Sequence, residues 1–243
     1  MSGPVLELSD VSKEYQGLRP LRIERLVVGH AESVAIVGLD RVTAEVFVNL
    51  VTGATLPDRG EVKLFGRATS AIADSADWLT VVDRFGIVSE RAVLLDGLSV
   101  IQNLSMPFTL EIEPPPDEVR VRAEELAREV QLDEGTWRRP LGELDRASRA
   151  RARLARALAL DPAILLLEHP TTDLPPADGV AFGRHVRQVA ARRRAAIVAA
   201  TVDSAVATAV ARRVLTLDPG SGRLSERRRG WFKAIVDSSK NRD

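Results

Sequence analysis

Apolar residues recur along this chain at two spacings, and these divide it into strands and helices. Val5-Leu6-Glu7-Leu8 and Leu21–Val28 alternate roughly with period two, as half-buried strands do. Val34–Val37 is a short unbroken apolar run, the pattern of a strand covered on both faces. Asp58-Arg59-Gly60 is a turn signal opening the strand Glu61–Phe65, and Gly86–Val88 predicts another strand. Pro114-Pro115-Pro116 ends one segment. Asp117 then stands where it can cap a helix whose apolar face is Val119, Ala123, Leu126, Ala127 and Val130. From residue 147 the two patterns alternate: helix Ala147–Leu160, strand Ile164–Leu167, helix Ala177–Arg192, strand Ala196–Ala200, helix Asp203–Ala211, strand Arg213–Leu217. Such alternation argues for a parallel α/β sheet. The last segment carries Trp231, Phe232, Ile235 and Val236 at helical spacing, after Arg227–Arg229.

The stretch from residue 35 to 60 has the frame of a phosphate-binding loop without its chemistry. The strand runs into Gly38, and a short polar turn leads to the helical pattern Phe47, Leu50, Val51. A G-x-x-x-x-G-K-[ST] loop occupies that strand–loop–helix position. Here the second glycine's place holds Thr43, the lysine's place Ala44 and the magnesium-binding hydroxyl's place Glu45. Val42 and Thr43 bring β-branched bulk into a loop that needs permissive backbone angles. Ala44 removes the cation, although Arg41 offers a substitute positive charge. A carboxylate at Glu45, ~4 Å from a phosphate at an effective dielectric near 20, costs roughly 4 kcal/mol per like-charge pair. A helix N-terminus offsets only about 1 kcal/mol of that. On magnitude, tight triphosphate binding loses.

Composition narrows the rest. At 243 residues and 45% hydrophobic the chain can bury a full core. Lys+Arg 34 and Asp+Glu 34 cancel, so no global field draws it to nucleic acid. With no cysteine there is neither a disulfide framework nor a thiolate metal site, and His30, His169 and His185 are scattered. No metal centre is expected. The N-terminus lacks a basic-then-apolar signal and no apolar run nears the ~20 residues that span a bilayer, which makes a cytoplasmic location the expectation.

The order of these pieces is similar to that of the ATP-binding cassette of ABC transporters, over nearly the whole chain. Tyr15, in VSKEYQG, sits where that family stacks an aromatic on adenine; AIVG and NLVTG bracket the phosphate loop. IVSERAVLLDGLSVIQNLSMPF resembles the glutamine loop, with Glu90 in the glutamine's place. PLGELDRASRARARLARALALDPAILLLEHPTTDLPP resembles the signature helix and the second phosphate-site strand, and TVDSAVATAVARRVLTLD the histidine switch and last core strand. The resemblance implies an α/β fold: a P-loop NTPase-like three-layer core with a mostly parallel sheet, an N-terminal antiparallel β subdomain and an α-helical subdomain. It implies one cassette over residues 1–243, with β subdomain and core to about 89, helices at about 90–145, core again to about 225, and a C-terminal helix beyond.

Every catalytic landmark of the family departs from its pattern. The phosphate loop reads Gly38, Arg41, Thr43, Ala44, Glu45, Val46, and the signature reads Leu144, Asp145, Arg146, Ala147, Ser148 without its glycines. Glu168 stands for the aspartate that organises magnesium, His169 for the glutamate that polarises water, Pro175 for the D-loop aspartate, and Val202 for the switch histidine. The resemblance then implies a degenerate, pseudo-ATPase cassette that needs no cofactor. Its expected partners are a membrane permease and, as homodimer or heterodimer, a second cassette; its expected place is peripheral, at the inner face of the cell membrane. Part of the stretch Leu94, Leu98, Val100, Met106, Phe108 is expected at the permease contact. Arg149, Arg153 and Arg156 read as a solvated basic face salt-bridged to neighbours, and the C-terminal segment as packing on its own domain or a dimer mate. Two alternatives stay open. One is a working ATPase using ATP and Mg²⁺ with unconventional residues, His169 as base or Glu45 and Glu168 sharing a metal, in lipid or lipoprotein transport, which Leu104–Phe108 faintly resembles. The other is a soluble regulatory interaction protein.

Overall fold

A computed structural model of the protein describes residues 3–226. The strands β1 (Leu6–Lys13) and β2 (Leu21–Val28) form an antiparallel pair, Leu6 opposite Val28 and Lys13 opposite Leu21. β3 (Ser33–Val37) and α1 (Arg41–Val51) follow, then β4 (Arg59–Leu64) and the two-residue β5 (Arg67–Ala68). These complete a four-stranded sheet ordered β2-β1-β4-β5. After α2 (Ser75–Val82) and β6 (Phe85–Ser89) come α3 (Val100–Ser105) and α4 (Asp117–Glu129). α5 (Arg146–Ala157), β7 (Ile164–Glu168), α6 (Pro176–Arg193), β8 (Ala196–Thr201), α7 (Ser204–Val210), β9 (Arg213–Leu217) and β10 (Leu224–Glu226) complete the order. The second sheet runs β10-β9-β3-β8-β7-β6, parallel from β9 to β6, with β10 antiparallel at its edge.

Period two along the buried strands sorts the core into two faces. Leu165, Leu167, Ile197 and Ala199 pack with residues of α3 to α7, among them Leu104, Ala123, Leu154, Phe182, Val186 and Val210. Ile164, Leu166, Val198 and Ala200 face the other way, onto α1 through Phe47, Leu50 and Val51 and onto the antiparallel sheet through Leu6, Leu8, Ile23 and Val62. The α/β fold with a mostly parallel sheet and an antiparallel β unit is therefore as expected.

Several boundaries differ, each for a local reason. Asp117 is not the cap of α4; Pro116 is, without a side-chain bond, and Asp117 lies in the first turn, 3.0 Å from Arg120 Nη2. α5 begins one residue early because Asp145 caps it, and the helix stops at Ala157. In α7 the expected end residues Asp203 and Ala211 are the two caps. β1 extends to Lys13, where Asp58 accepts from Lys13 Nζ at 2.8 Å and from the Glu14 N–H at 2.6 Å. The period-two pattern does not mark α2, β5 or β10. The segment carrying Trp231, Phe232, Ile235 and Val236 lies outside the described residues.

Candidate functional site

Parallel strands in register bring their carboxyl ends to one edge, and in open α/β sheets ligands bind outside that edge. Glu168 pairs with Ser89 on one side and Ala200 on the other, and Val37 pairs with Thr201. Gly38, Glu90, His169 and Val202 are therefore the next residues out on four adjacent strands. Gly38 keeps a backbone that favours glycine, φ +105, where a Cβ would lie 3.2 Å from the Leu217 carbonyl oxygen.

The loop after Gly38 is shorter than the sequence suggests. α1 starts at Arg41, so Val42 and Thr43 are helical and their β-branches meet no loop constraint. Asp40 is the N-cap: its carboxylate accepts from the Thr43 N–H at 2.7 Å. Bonds from Thr43 hold the Asp40 carboxyl below the usual carboxylate range, and nearby His169 adds to this. An acidic side chain of the chain itself thus takes the place at the helix N-terminus where an external anion would be received. Ala44 is fully buried against the core and Val46 partly so. Tyr15 is tied to the same helix, its hydroxyl 2.8 Å from Thr43 Oγ1.

Beside α1 a cleft of about 330 Å³ is lined by Arg41, Glu45, Glu90, Arg91, Glu168 and His169, with Val42 and Ser89. Arg91 joins two carboxylates. Its Nη1 donates to Glu45 Oε1 at 2.9 Å, and its Nε and Nη2 donate to Glu168 Oε2 at 3.1 and 2.8 Å. Arg41 pairs with Glu90 Oε2. Glu168 is a buried charge, and two guanidinium bonds compensate it. His169 turns the chain at φ +43 after its N–H donates to the Ala200 carbonyl at 2.9 Å. Its Nε2, like Glu90 Oε1, is buried with no hydrogen-bond partner among the described residues.

The remaining expected site residues lie elsewhere. Val202 is 64% exposed at the start of the turn into α7 and does not line the cleft. Asp145 caps α5, accepting from the Ser148 N–H at 2.8 Å and from Ser148 Oγ at 2.9 Å. The Ser148 N–H, foremost among these bonds, keeps the Asp145 carboxyl below its ordinary range. Leu144, Arg146, Arg149, Arg153 and Asp173 line a separate groove, Ala147 faces α6 across another, and Arg149 is paired with Asp96 at 2.8 Å. Arg156 reaches the Val93 carbonyl at 3.4 Å, whereas Arg153 Nε has no partner among the described residues. The basic face is thus only partly salt-bridged. Pro175 is the N-cap of α6. Two residues of this region, one of them in the cleft, escape the sequence reading. Asp40 carries the usual N-cap signal ahead of an apolar helical pattern, but nothing in the sequence pairs Arg91 with Glu168, 77 positions away.

Among the described residues no group of three or more His, Cys, Asp or Glu side chains is placed to hold a metal ion, and no helix is long and apolar enough to cross a membrane.

Comparison with known proteins covers the same elements. The family model described as "ABC transporter" matches residues 26–172. The chain is 26% identical over 219 residues to the methionine import ATP-binding protein MetN of Brucella abortus (strain 2308), covering 90% of this chain and 58% of that protein. It is 30% identical over 201 residues to the lipoprotein-releasing system ATP-binding protein LolD of Chromohalobacter salexigens, covering 83% of each. The chain thus spans less than two thirds of the methionine importer subunit but most of the lipoprotein-system subunit. Among solved structures, cbiO1 from Clostridium perfringens, part of the ABC transporter complex cbiONQ, aligns with TM-score 0.79 at 18% identity over 99% of this chain and 96% of that one. A dimeric ATP-binding cassette in a post-hydrolysis state with ADP and Pi aligns with TM-score 0.72 at 23% identity, over 92% and 98%.

Proposed function

The chain belongs to the ABC transporter family of ATP-binding cassettes, and from that premise we propose that it is a non-hydrolysing subunit of an ABC transporter-type complex. In this reading it sits peripherally at the inner face of the membrane, docked on a permease and paired with a second cassette, and it holds or regulates the transporter.

One observation carries the reading: the places for an external anion and a metal are taken by the chain's own charges. Asp40 occupies the N-terminus of α1, Ala44 faces the core, and the Arg91 guanidinium lies between Glu45 and Glu168. These residues do not fit a magnesium triphosphate. Its phosphates would meet the carboxylates of Asp40, Glu45 and Glu90 with no lysine to neutralise them, and its cation would have to displace Arg91. At ~4 Å and an effective dielectric near 20, each such like-charge contact costs roughly 4 kcal/mol, which the helix end does not offset. Asp145 closes the start of α5 in the same manner.

A second reading, an active ATPase in lipid or lipoprotein transport, draws on the lipoprotein-system relative and on His169, a residue of the cleft lining. Phosphate release from the purified protein with ATP and Mg²⁺ separates the two. The scaffold reading expects no turnover, and recovery of a multi-span protein when the chain is drawn from solubilised membranes. Turnover abolished by Glu168→Gln or His169→Ala would overturn it.

A further inference from the structure

Two arginines on one face of α5 lack a carboxylate partner and share a groove. Arg146, Arg149 and Arg153 stand at positions i, i+3 and i+7 of the helix, a row roughly 10 Å long on one side. With Leu144 and Asp173 they line a groove of about 350 Å³. Arg149 is paired with Asp96 at 2.8 Å. Arg146 donates to the neutral backbone carbonyl of Asp173, at 3.2 Å. Arg153 has no ion pair among the described residues, and of its nitrogens Nε alone is closed to solvent without a partner. Its terminal nitrogens stay available at the groove wall.

Burial first, and then the neighbouring Arg149 charge, push the Arg153 guanidinium below its ordinary value; the carboxylates of Asp173 and Asp96 offset only part of this. A half-buried cation crowded by another cation is stabilised by an anion brought to it. With Asp96 and Asp173 counted, three guanidiniums face two carboxylates. Asp145 is turned to its own helix, accepting from Ser148, so the attraction lies along the flank of α5 and not at its end.

Two features favour a peptide over a compact inorganic anion. Leu144 gives the groove an apolar wall, which phosphate or sulfate would not use. Arg146 and Arg153 are two turns apart, about the separation of side chains three residues apart on an extended chain.

We propose that this groove docks an acidic peptide segment of a partner protein, two of whose carboxylates pair with Arg146 and Arg153 while the segment's aliphatic stems lie on Leu144. None of the groove's residues lines the cleft beside α1, so the proposal stands whether or not the cassette hydrolyses ATP.

Isothermal titration of the full chain with end-blocked hexaglutamate, beside end-blocked hexaglutamine and inorganic phosphate, tests this. At about 0.1 M salt, where charges are screened beyond roughly 10 Å, hexaglutamate is expected to bind saturably with Kd of about 100 µM and hexaglutamine not at all. Arg153→Gln and Arg146→Gln are each expected to weaken binding about tenfold. Arg146 is exposed, so its variant keeps the test readable if the Arg153 variant fails to fold. Arg184→Gln, at an exposed position of α6 outside the groove, should leave the affinity unchanged, which separates the groove from general attraction to a polyanion. Absence of saturable hexaglutamate binding, or equal weakening by Arg184→Gln, would overturn the proposal. Phosphate binding as tightly as the peptide would overturn it too, by making the groove a simple anion site.

Discussion

Leu166 and Glu168 lie two residues apart on the same strand, both buried, and are kept there by different physics. Leu166 packs between α1 and the strands around it and needs only apolar neighbours of about the right volume. Glu168 ends the strand and needs a specific cation, which Arg91 reaches across from the β6 side to supply. The sheet interior therefore tolerates sequence change while volume is kept. At the carboxyl edge Glu45, Glu90 and Glu168 are each paired with a guanidinium, so removing one charge leaves another uncompensated. The pairs at this edge are Asp40 with the Thr43 N–H, Arg91 with Glu45 and Glu168, and Arg41 with Glu90.

The largest effect should come from the interior. Leu166→Ala is expected to lower unfolding free energy by about 3 kcal/mol in chemical denaturation, the sum of lost transfer energy and a residual cavity. A loss below about 1 kcal/mol would mean that this face of the sheet is not packed as described. Arg91→Ala comes next. It leaves Glu168 buried without its cation, and because the guanidinium is half exposed the expected loss is about 2 kcal/mol rather than the full cost of breaking a buried pair. Glu168→Gln in the same chain should restore part of that loss. Additive single and double variants would show that the two groups do not interact.

The helix caps give a smaller, pH-dependent effect. Asp40 and Asp145 are both held below the usual carboxylate range by bonds from their own helices. A depressed folded-state pKa contributes stability that is present above the unfolded value and is lost as pH falls through the folded one. Asp40→Ala should therefore cost about 1 kcal/mol at neutral pH and nearly nothing in strong acid. Asp145→Ala should follow the same curve with an equal or smaller amplitude. A cost for either that did not vary between neutral and acidic pH would contradict the capping assignment.

Although the cap named for α4, Asp117, lies one residue inside the helix, strands β1 to β4 and β7 to β9 and helices α5 to α7 are legible from apolar period, because burial on one or both faces writes itself into the sequence. α2 and β10 are not, since no residue of either is buried enough to impose a period. The site divides likewise. Ala44 and Glu45 are found from the strand–loop–helix frame, whereas Glu168 and His169 are found only through the resemblance to the cassette family. The early start of α1 is missed because a frame with Gly38 in place suggests a loop, while the cap bond from Thr43 to Asp40 decides otherwise. Arg91 is missed because an ion pair between the ends of two strands leaves no local signature.

Calorimetric titration of the purified chain with ATP and Mg²⁺, beside the Arg91→Ala chain, reads whether the cleft accepts nucleotide. A site filled by its own charges predicts no saturable heat from the unaltered chain at millimolar nucleotide, about 1 mM being the weak limit of specific binding. Micromolar, magnesium-dependent binding to the unaltered chain would contradict it.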